Sequence, residues 1–290
     1  MEFIETLING LSIGSTYAVI ALGYTMVYGI AKMLNFAHGD VIMVGGYMIY
    51  LAMVAIGNPL LGLLGAVAFC ILLGITIEKV AYKPLRGASP LAVLITAIGV
   101  SYLLQSTAQI IFGSAPKMVI IADFGNLEFA GLKIPYYMLI TLACSLIIMV
   151  ALSLFVKYTK TGRAMIAVSE DKGAAQLMGI NVNGIITITF AIGSGLAAFA
   201  GFFMLMKSPS LSNTLGAMPG IKAFTAAVIG GIGSIPGAML GGILMGIVEA
   251  ISFTIPAIAP YTDAIEFLVL IIILLVRPSG ILGKVRREKV

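Results

Sequence analysis

The sequence predicts an all-α polytopic membrane protein with about nine transmembrane helices. Of its 290 residues, 60% are hydrophobic and only 10% are charged, whereas soluble domains carry about 25% charged residues. Most of its apolar stretches approach the roughly 20 residues that a helix needs to cross a bilayer. A soluble domain of this length could not cover its surface with so few charges, so that class is excluded. We treat residues 1–290 as a single transmembrane domain.

The candidate spans follow one another along the whole chain, mostly with short connections. Proline begins several of them, where its missing N–H is harmless. The seventh span is the shortest and permits a second interpretation, a re-entrant dip that leaves eight full spans and puts both termini on one side of the membrane. The nine candidate spans are 6–30, 39–56, 59–82, 90–112, 135–157, 182–206, 222–234, 237–255 and 262–276.

The basic residues predict the orientation of the chain, because Lys and Arg collect in short cytoplasmic loops. With the N-terminus outside and nine spans, 13 of the 17 Lys and Arg residues fall inside. The reverse orientation would put only 4 of them inside. We therefore expect an external N-terminus and a cytoplasmic C-terminus. The four basic residues expected outside are Lys117, Lys133, Lys207 and Lys222.

The residue patterns of common enzymes are missing from this sequence. There is no Gly-x4-Gly-Lys-Ser/Thr phosphate loop, which excludes ATP hydrolysis by that route. The chain has one histidine and no spacing typical of a metal site. The basic residues are scattered over the loops and form no patch of the kind that binds nucleic acid. We expect a non-enzyme with no metal and no nucleic-acid partner.

Polar residues separate the first two spans, in the sequence Asn35-Phe36-Ala37-His38-Gly39-Asp40. One interpretation is a plain cytoplasmic turn in which Asp40 caps the next helix. The other is a break in a membrane helix that exposes polar atoms to a translocation path, as interrupted helices do in transporters. Asn35, His38 and Asp40 are therefore candidates for such a path.

Two further candidates lie within apolar spans. Glu249 is near the middle of a span, where a carboxylate costs about 2.5–3.5 kcal/mol and should face protein or water. It either lines a path or joins helices by hydrogen bonds. Gln105 shares one helical face with Ser101 and Gln109, which indicates polar contacts between helices or a second path residue. Glu266 comes early in the last span and is expected to reach the interface.

A glycine-rich run, from Gly230 to Gly237, interrupts the chain between two of the spans. Its four glycines are Gly230, Gly231, Gly233 and Gly237. Glycine permits backbone conformations that other residues resist. We expect a tight turn or an unwound segment, which at membrane depth must be buried in protein or face water.

Two loops are long enough to contain structure. The cytoplasmic segment 158–181 has Ser169 or Asp171 as a helix cap and Gly179 as a helix end, which predicts a short helix. That helix is either interfacial padding or a projection that fits a partner's groove. The external loop 113–134 contains β-branched residues around 123–126, which predicts a small hairpin and a docking surface for an external partner.

The chain resembles the LivH-type permease subunits of bacterial branched-chain amino acid ABC importers. The matching blocks cover essentially the whole chain, and they are specific to the family but not to its substrate. They are Ala21-Leu22-Gly23-Tyr24-Thr25-Met26-Val27-Tyr28-Gly29-Ile30 with residues 34–40, Thr161-Gly162-Arg163-Ala164 with residues 174–179, residues 227–234, and Arg277-Pro278-Ser279-Gly280-Ile281-Leu282-Gly283.

The resemblance implies an ABC importer permease fold in the bacterial inner membrane and a set of partners. These are a second permease subunit, of LivM type or a second copy, two cytoplasmic ATPases that use ATP and Mg²⁺, and a periplasmic or extracellular amino-acid-binding protein. Ala174, Ala175 and Gly179 match the family's ATPase-coupling motif, with Arg163 and Glu170 nearby. Gly173 stands where the motif usually has Glu, which puts that one contact in doubt.

The expected function is therefore ATP-driven import of branched-chain amino acids, with no cofactor bound by this chain. Two alternatives stay open at this point. Close relatives of the architecture carry urea or short amides, so the cargo is not fixed by the motifs. Glu249 and the interrupted helices also fit a stand-alone channel or an ion-coupled carrier.

Overall fold

The computed structural model describes residues 2–121, 125–129 and 132–283. The described residues form eleven α-helices and two small two-stranded sheets. The helices are α1 Glu2–Ala31, α2 His38–Ala55, α3 Pro59–Ile77, α4 Pro90–Phe112, α5 Tyr136–Tyr158, α6 Lys160–Glu170, α7 Lys172–Leu177, α8 Val182–Lys207, α9 Ala217–Gly230, α10 Ile235–Thr254 and α11 Thr262–Val276. The strands are β1 Lys117–Met118, β2 Asn126–Phe129, β3 Leu132–Pro135 and β4 Ser210–Leu211.

Eight helices within the described residues are long and apolar enough to cross a membrane. The predicted all-α polytopic class is confirmed, and most helix ends lie within a few residues of the sequence-based spans. The exception in length is α9, which has 14 residues. At about 1.5 Å per residue it extends about 21 Å, short of a hydrocarbon core about 30 Å thick.

Helix α1 forms the centre of the bundle and packs antiparallel to α10 along its length. Thr6 Oγ1 lies 3.2 Å from Thr254 Oγ1 at one end, and Gly29 faces Gly233 at the other. Between them the helices touch backbone to backbone, since a Cβ on Gly246 would overlap the backbone of Gly14. Small residues allow this close approach, which replaces the hydrophobic effect as the source of helix association in lipid.

The contacts between loops identify the two ends of the bundle. At one end the chain after α3 meets the start of α8, where Arg86 donates to Asn183, and Ile281 N–H donates to the carbonyl of Ile229 at 2.8 Å. At the other end β1, which follows α4, pairs with β4, which follows α8.

The chain from β4 to the end of α9 therefore runs from one end of the bundle to the other. It does so with a turn at residues 213–216, followed by the short helix α9. The alternative interpretation, a re-entrant dip, is thus wrong, because the segment does not return to the side from which it starts. The beginning of α1 and the end of α11 lie at opposite ends of the bundle.

The hairpin in the external loop forms, but in another register than the sequence suggested. Strand β2 pairs antiparallel with β3, with Leu127 opposite Ile134. Asn126 begins a strand, so the turn predicted around 123–126 is wrong at that residue. Met118 pairs with Ser210 of β4 instead of joining the hairpin. Residues 122–124 and 130–131 lie outside the described residues.

Candidate functional site

The polar residues between α1 and α2 fold into the interior of the bundle. His38 is buried, and its ring packs edge-on against Tyr24 with 4.7 Å between ring centroids. Asn35 is also buried, and its Oδ1 accepts a 2.9 Å hydrogen bond from the hydroxyl of Tyr82. A solvated turn would leave these groups at the surface, so the interrupted-helix interpretation describes this segment better.

Asp40 joins α2 to α4. Its carboxylate accepts hydrogen bonds from Ser101 Oγ and, at 2.8 Å, from Gln105 Nε2. The predicted capping role of Asp40 is wrong, because Ala37 precedes α2 and no side chain caps that helix. Gln109, on the same face of α4, is exposed. The polar face of α4 therefore acts, at Ser101 and Gln105, as a contact between helices.

The beginnings of α2 and α9 meet through their backbones. A Cβ on Gly216 would overlap the carbonyl of Gly39, and a Cβ on Gly220 would come within 3.1 Å of the Cα of Gly39. Two helices that start inside the bundle thus touch where neither carries a side chain. A shift of either one must move the other, because packed interiors resist compression.

A cluster of charged side chains connects α9 to three other helices. Lys222 Nζ lies 2.8 Å from Asp263 Oδ1, 3.2 Å from Glu266 Oε2 and 3.5 Å from Glu249 Oε2. Glu249 Oε2 also accepts a 2.5 Å hydrogen bond from the hydroxyl of Tyr17. The five side chains belong to α1, α9, α10 and α11, so they fix the position of the short helix against the long ones.

The prediction that Glu266 reaches the interface is wrong, since its side chain is 0% exposed. Lys222 provides the reason, because a cation beside this carboxylate compensates a charge that would otherwise be too costly to bury. Lys222 itself lies buried within α9 and not in an outside loop, because α9 begins five residues earlier than expected. Sequence reasoning therefore missed Lys222, Glu266 and Tyr17 as one group. One signal could have found them, namely a basic and two acidic residues inside apolar stretches.

The glycine run between α9 and α10 is a tight turn. Gly231 and Gly233 have φ of 101° and 95°, which non-glycine residues rarely adopt. Gly230 and Gly237 face each other so closely that a Cβ on either would overlap the other's backbone. The carbonyl of Gly230 accepts the N–H of Leu282 at 2.9 Å, so the chain after α11 satisfies the end of α9.

Helix α7 is the short helix that the sequence predicted between 158 and 181. Asp171 caps it by accepting the N–H of Ala174 at 3.0 Å, and Gly179 ends it with a φ of 80°. Ala175 is packed against this chain at 4% exposure. Leu177 and Met178, by contrast, are 89% and 82% exposed. These two side chains therefore make little contact with the rest of the described chain.

A direct bond links α7 to the end of α1. Lys172 Nζ donates to the carbonyl of Ala31 at 2.8 Å. Desolvation, followed by the charge of Arg86, lowers the pKa of Lys172. Arg163 and Glu170 lie on α6, and both are exposed. Glu170 also lines a cleft of about 490 Å³ between the end of α1, α5, α6 and the glycine turn.

The family described as "Branched-chain amino acid transport system / permease component" matches residues 6–274 of the chain. The permease protein BraD of Pseudomonas aeruginosa is 44% identical over 303 residues, covering 100% of this chain and 98% of BraD. LivH of Escherichia coli K12 is 41% identical with the same coverage. A probable LivH of Methanocaldococcus jannaschii is 28% identical, covering 96% of this chain and 92% of that protein.

BraD and LivH of Escherichia coli are both named as high-affinity branched-chain amino acid transport system permease proteins. The match with them extends through every block of residues that carried the resemblance, and the eight apolar helices make this chain a multi-pass membrane protein. The chain therefore belongs to the family of branched-chain amino acid transport system permease components.

Proposed function

We propose that this chain is a permease subunit of an ABC importer that moves branched-chain amino acids into the cell. The observation that carries the proposal is the 44% identity to BraD over the whole of this chain. The chain itself binds no cofactor and performs no catalysis. Two partner ATPases bind ATP and Mg²⁺, a second permease subunit completes the path, and an external binding protein delivers the amino acid.

The interior supports a path that binds its cargo weakly. The candidates Asn35 and Asp40 are buried and hydrogen-bonded to side chains of this chain. His38 is buried against Tyr24, and its Nε2 has no hydrogen-bond partner among the described residues. Glu249 is held by Tyr17 and Lys222. Side chains committed to one another in this way leave few groups to hold a zwitterion. Affinity then resides in the binding protein, and the permease need only open and close.

The end of the bundle that carries α7 is proposed as the cytoplasmic end. The 13-to-4 distribution of basic residues favours it. That distribution was counted for nine spans, which agrees with the beginning of α1 and the end of α11 lying at opposite ends of the bundle. Leu177 and Met178 would insert into an ATPase groove, with the nearby Ala174 and Gly179 shaping the helix. Movement of α7 would reach α1 through the bond from Lys172 to Ala31, a rigid-body change of the kind that drives switching.

The test is transport by reconstituted complexes. The chain is placed in proteoliposomes with its two ATPases, second permease subunit and binding protein, and uptake of labelled leucine, urea and acetamide is measured. We expect leucine uptake that requires both ATP and the binding protein, and no uptake of urea or acetamide. Uptake of only urea or acetamide would show that the cargo is an amide and that the chain still belongs to an ABC importer.

A second arm separates the importer from a stand-alone carrier. The purified chain alone is reconstituted, and an ion gradient replaces ATP. We expect no leucine uptake above that of empty vesicles, because the proposed path needs a second permease subunit. Gradient-driven uptake by the chain alone would overturn the proposal.

A further inference from the structure

Helix α3 ends in one π-helical turn, Glu78–Tyr82, which we call the π turn. A π turn replaces the regular i to i+4 hydrogen bonds by i to i+5 bonds, is rare, and is often found at functional sites. Here it places two polar side chains in the interior of the bundle, because Glu78 and Tyr82 are each 0% exposed. Their partners lie on two different parts of the chain.

Glu78 joins the π turn to the beginning of α8. Its Oε1 pairs with Arg86, and its Oε2 accepts a 2.7 Å hydrogen bond from Thr187 Oγ1 on α8. Arg86 also donates to Asn183 on the same helix. A buried carboxylate is costly when it loses a partner, so these contacts resist separation. The beginning of α8 and the π turn are therefore expected to move together.

Tyr82 joins the π turn to the interrupted segment, residues 32–37 between α1 and α2. Its hydroxyl donates a 2.9 Å hydrogen bond to Asn35 Oδ1. The carbonyl of Asn35 in turn accepts the N–H of His38, the first residue of α2, at 3.1 Å. Tyr82 thus holds the residue on which the beginning of α2 depends.

The beginning of α8 is also tied to α7. Only residues 178–181 separate the two helices. The N–H of Ile180 donates to the carbonyl of Ala175 at 3.0 Å, and Asn181 caps α8 by accepting the N–H of Gly184 at 3.0 Å. A displacement of α7 would therefore reach Thr187 through a short, hydrogen-bonded corner.

We propose that Thr187, Glu78 and Tyr82 form a relay through which the interrupted segment follows the position of the corner between α7 and α8. Hydrogen-bond networks between rigid helices carry coupling of this kind. Thr187 and Tyr82 are positioning residues, because they act on Asn35 and not on the cargo. That the relay serves ATP-driven transport rests on the proposed function, whereas the link from Thr187 to Asn35 does not.

The first test is hydrogen exchange, measured by mass spectrometry on the full chain in detergent. The variant T187V keeps the shape of the side chain and removes its bond to Glu78. We expect the amides of residues 35–40 to exchange at least roughly threefold faster, the factor that one net hydrogen bond is worth. Since Thr187 is not a printed partner of Asn35, a change there reports the link between them.

The matched control is T107V on α4. Thr107 Oγ1 donates to the carbonyl of Leu103, and Thr187 Oγ1 likewise donates to the carbonyl four residues before it. Both variants lose this bond within a helix, but the bond to Glu78 is lost in T187V. Unchanged exchange of residues 35–40 in T187V, or an equal increase in T107V, would overturn the relay.

A double variant tests whether the link passes through Tyr82. Y82F removes the hydroxyl and keeps the ring that packs against Phe190, 5.2 Å away between centroids. We expect T187V/Y82F to exchange at residues 35–40 no faster than Y82F, because two changes in one connection are not additive. Additive increases would show that the link bypasses Tyr82 and would overturn its role.

The last test uses the complex reconstituted with its partners and measures leucine imported per ATP hydrolysed. We expect Y82F and T187V to lower this ratio by at least roughly threefold, while ATPase binding and ATP hydrolysis persist. Y102F and T107V should leave it unchanged. A parallel fall in uptake and hydrolysis, or an unchanged ratio, would contradict a positioning role. If the unaltered complex imports no leucine, the proposed function fails, and the exchange measurements still decide on the relay.

Discussion

The hydroxyl of Tyr17 on α1 donates a 2.5 Å hydrogen bond to Oε2 of Glu249 on α10. Both residues are buried, and they join the two helices that make the longest contact in the bundle. Through this bond a carboxylate that is costly to bury connects two helices. Glu249 also lies beside Lys222, so the same group of side chains holds α9.

We expect Y17F to lower the free energy of unfolding by roughly 1.5–3 kcal/mol, the contribution of a hydrogen bond to a charged group. Lys222 still faces Glu249 in this variant, so the chain should fold. Thermal unfolding in detergent measures the change. The control is Y102F, whose hydroxyl lies on a tyrosine that is 65% exposed on α4. Equal stability of Y17F and Y102F would contradict the assigned bond.

Removal of Lys222 tests the cluster as a whole. We expect K222M to lower the free energy of unfolding by about 3–5 kcal/mol, because it leaves buried carboxylates without a cation. The double variant K222M/E266Q should recover part of that loss, since it also removes the most buried acid. The measurement is again thermal unfolding, with K79M at an exposed position as the control. A double variant that is less stable than K222M would contradict the pairing of Lys222 with Glu266.

The sequence alone predicted the helices because their apolar stretches are long and their ends carry Pro, Gly or polar residues. It did not predict the partners of Glu249 and Glu266, since helical spacing gives the face of a residue within its own helix and not the neighbour that it meets. Lys222 was taken for a loop residue because α9 begins five residues before the predicted span. Its four-carbon stem lets it sit in an apolar helix while the ammonium reaches three acids.

The sequence left two courses open for the chain after α8. The predicted span 222–234 is short for a membrane crossing, so a re-entrant dip stood as the alternative to nine full spans. Only the pairing of β1 with β4 shows that the chain approaches α9 from the end of the bundle opposite to the one where α9 ends. Strand pairs of two residues leave almost no pattern in a sequence.

The bond between Gln105 and Asp40 leads to a third prediction. We expect Q105L to lower the free energy of unfolding by roughly 1.5–3 kcal/mol, because the buried carboxylate loses a donor. Ser101 remains as its other partner, so the fold should persist. Q109L, one turn away on the same helix and exposed, is the matched control and should show no loss. If both variants unfold alike, Gln105 does not hold α2 to α4.

The contact between Gly39 and Gly216 leads to a fourth prediction. We expect G216A to prevent α9 from packing on α2, because its Cβ would overlap the carbonyl of Gly39. The φ of Gly216 is −94°, so alanine fits the backbone and only the contact is affected. Yield of monodisperse protein and thermal stability measure the loss.

The matched control for this contact is G99A, on α4, where a Cβ would meet nothing within 4 Å. Alanine within a helix is better than glycine by about 0.5–1 kcal/mol, so G99A should be slightly more stable than the unaltered chain. The two substitutions should thus change stability in opposite directions. A stable G216A variant would show that the close approach of α2 and α9 is not required.

The exposed end of α7 leads to the last prediction, which concerns the proposed ATPase contact. We expect M178E to reduce co-purification of the ATPases by at least roughly tenfold, because a charge buried in an apolar groove costs more than about 1.4 kcal/mol. The chain should still insert and fold, since Met178 makes little contact with it. M118E is the matched control, the same substitution at a methionine 75% exposed on β1, at the opposite end of the bundle. It should leave ATPase binding unchanged. Equal ATPase binding by M178E and the unaltered chain, or equal loss in both variants, would contradict the placement of the ATPases against α7.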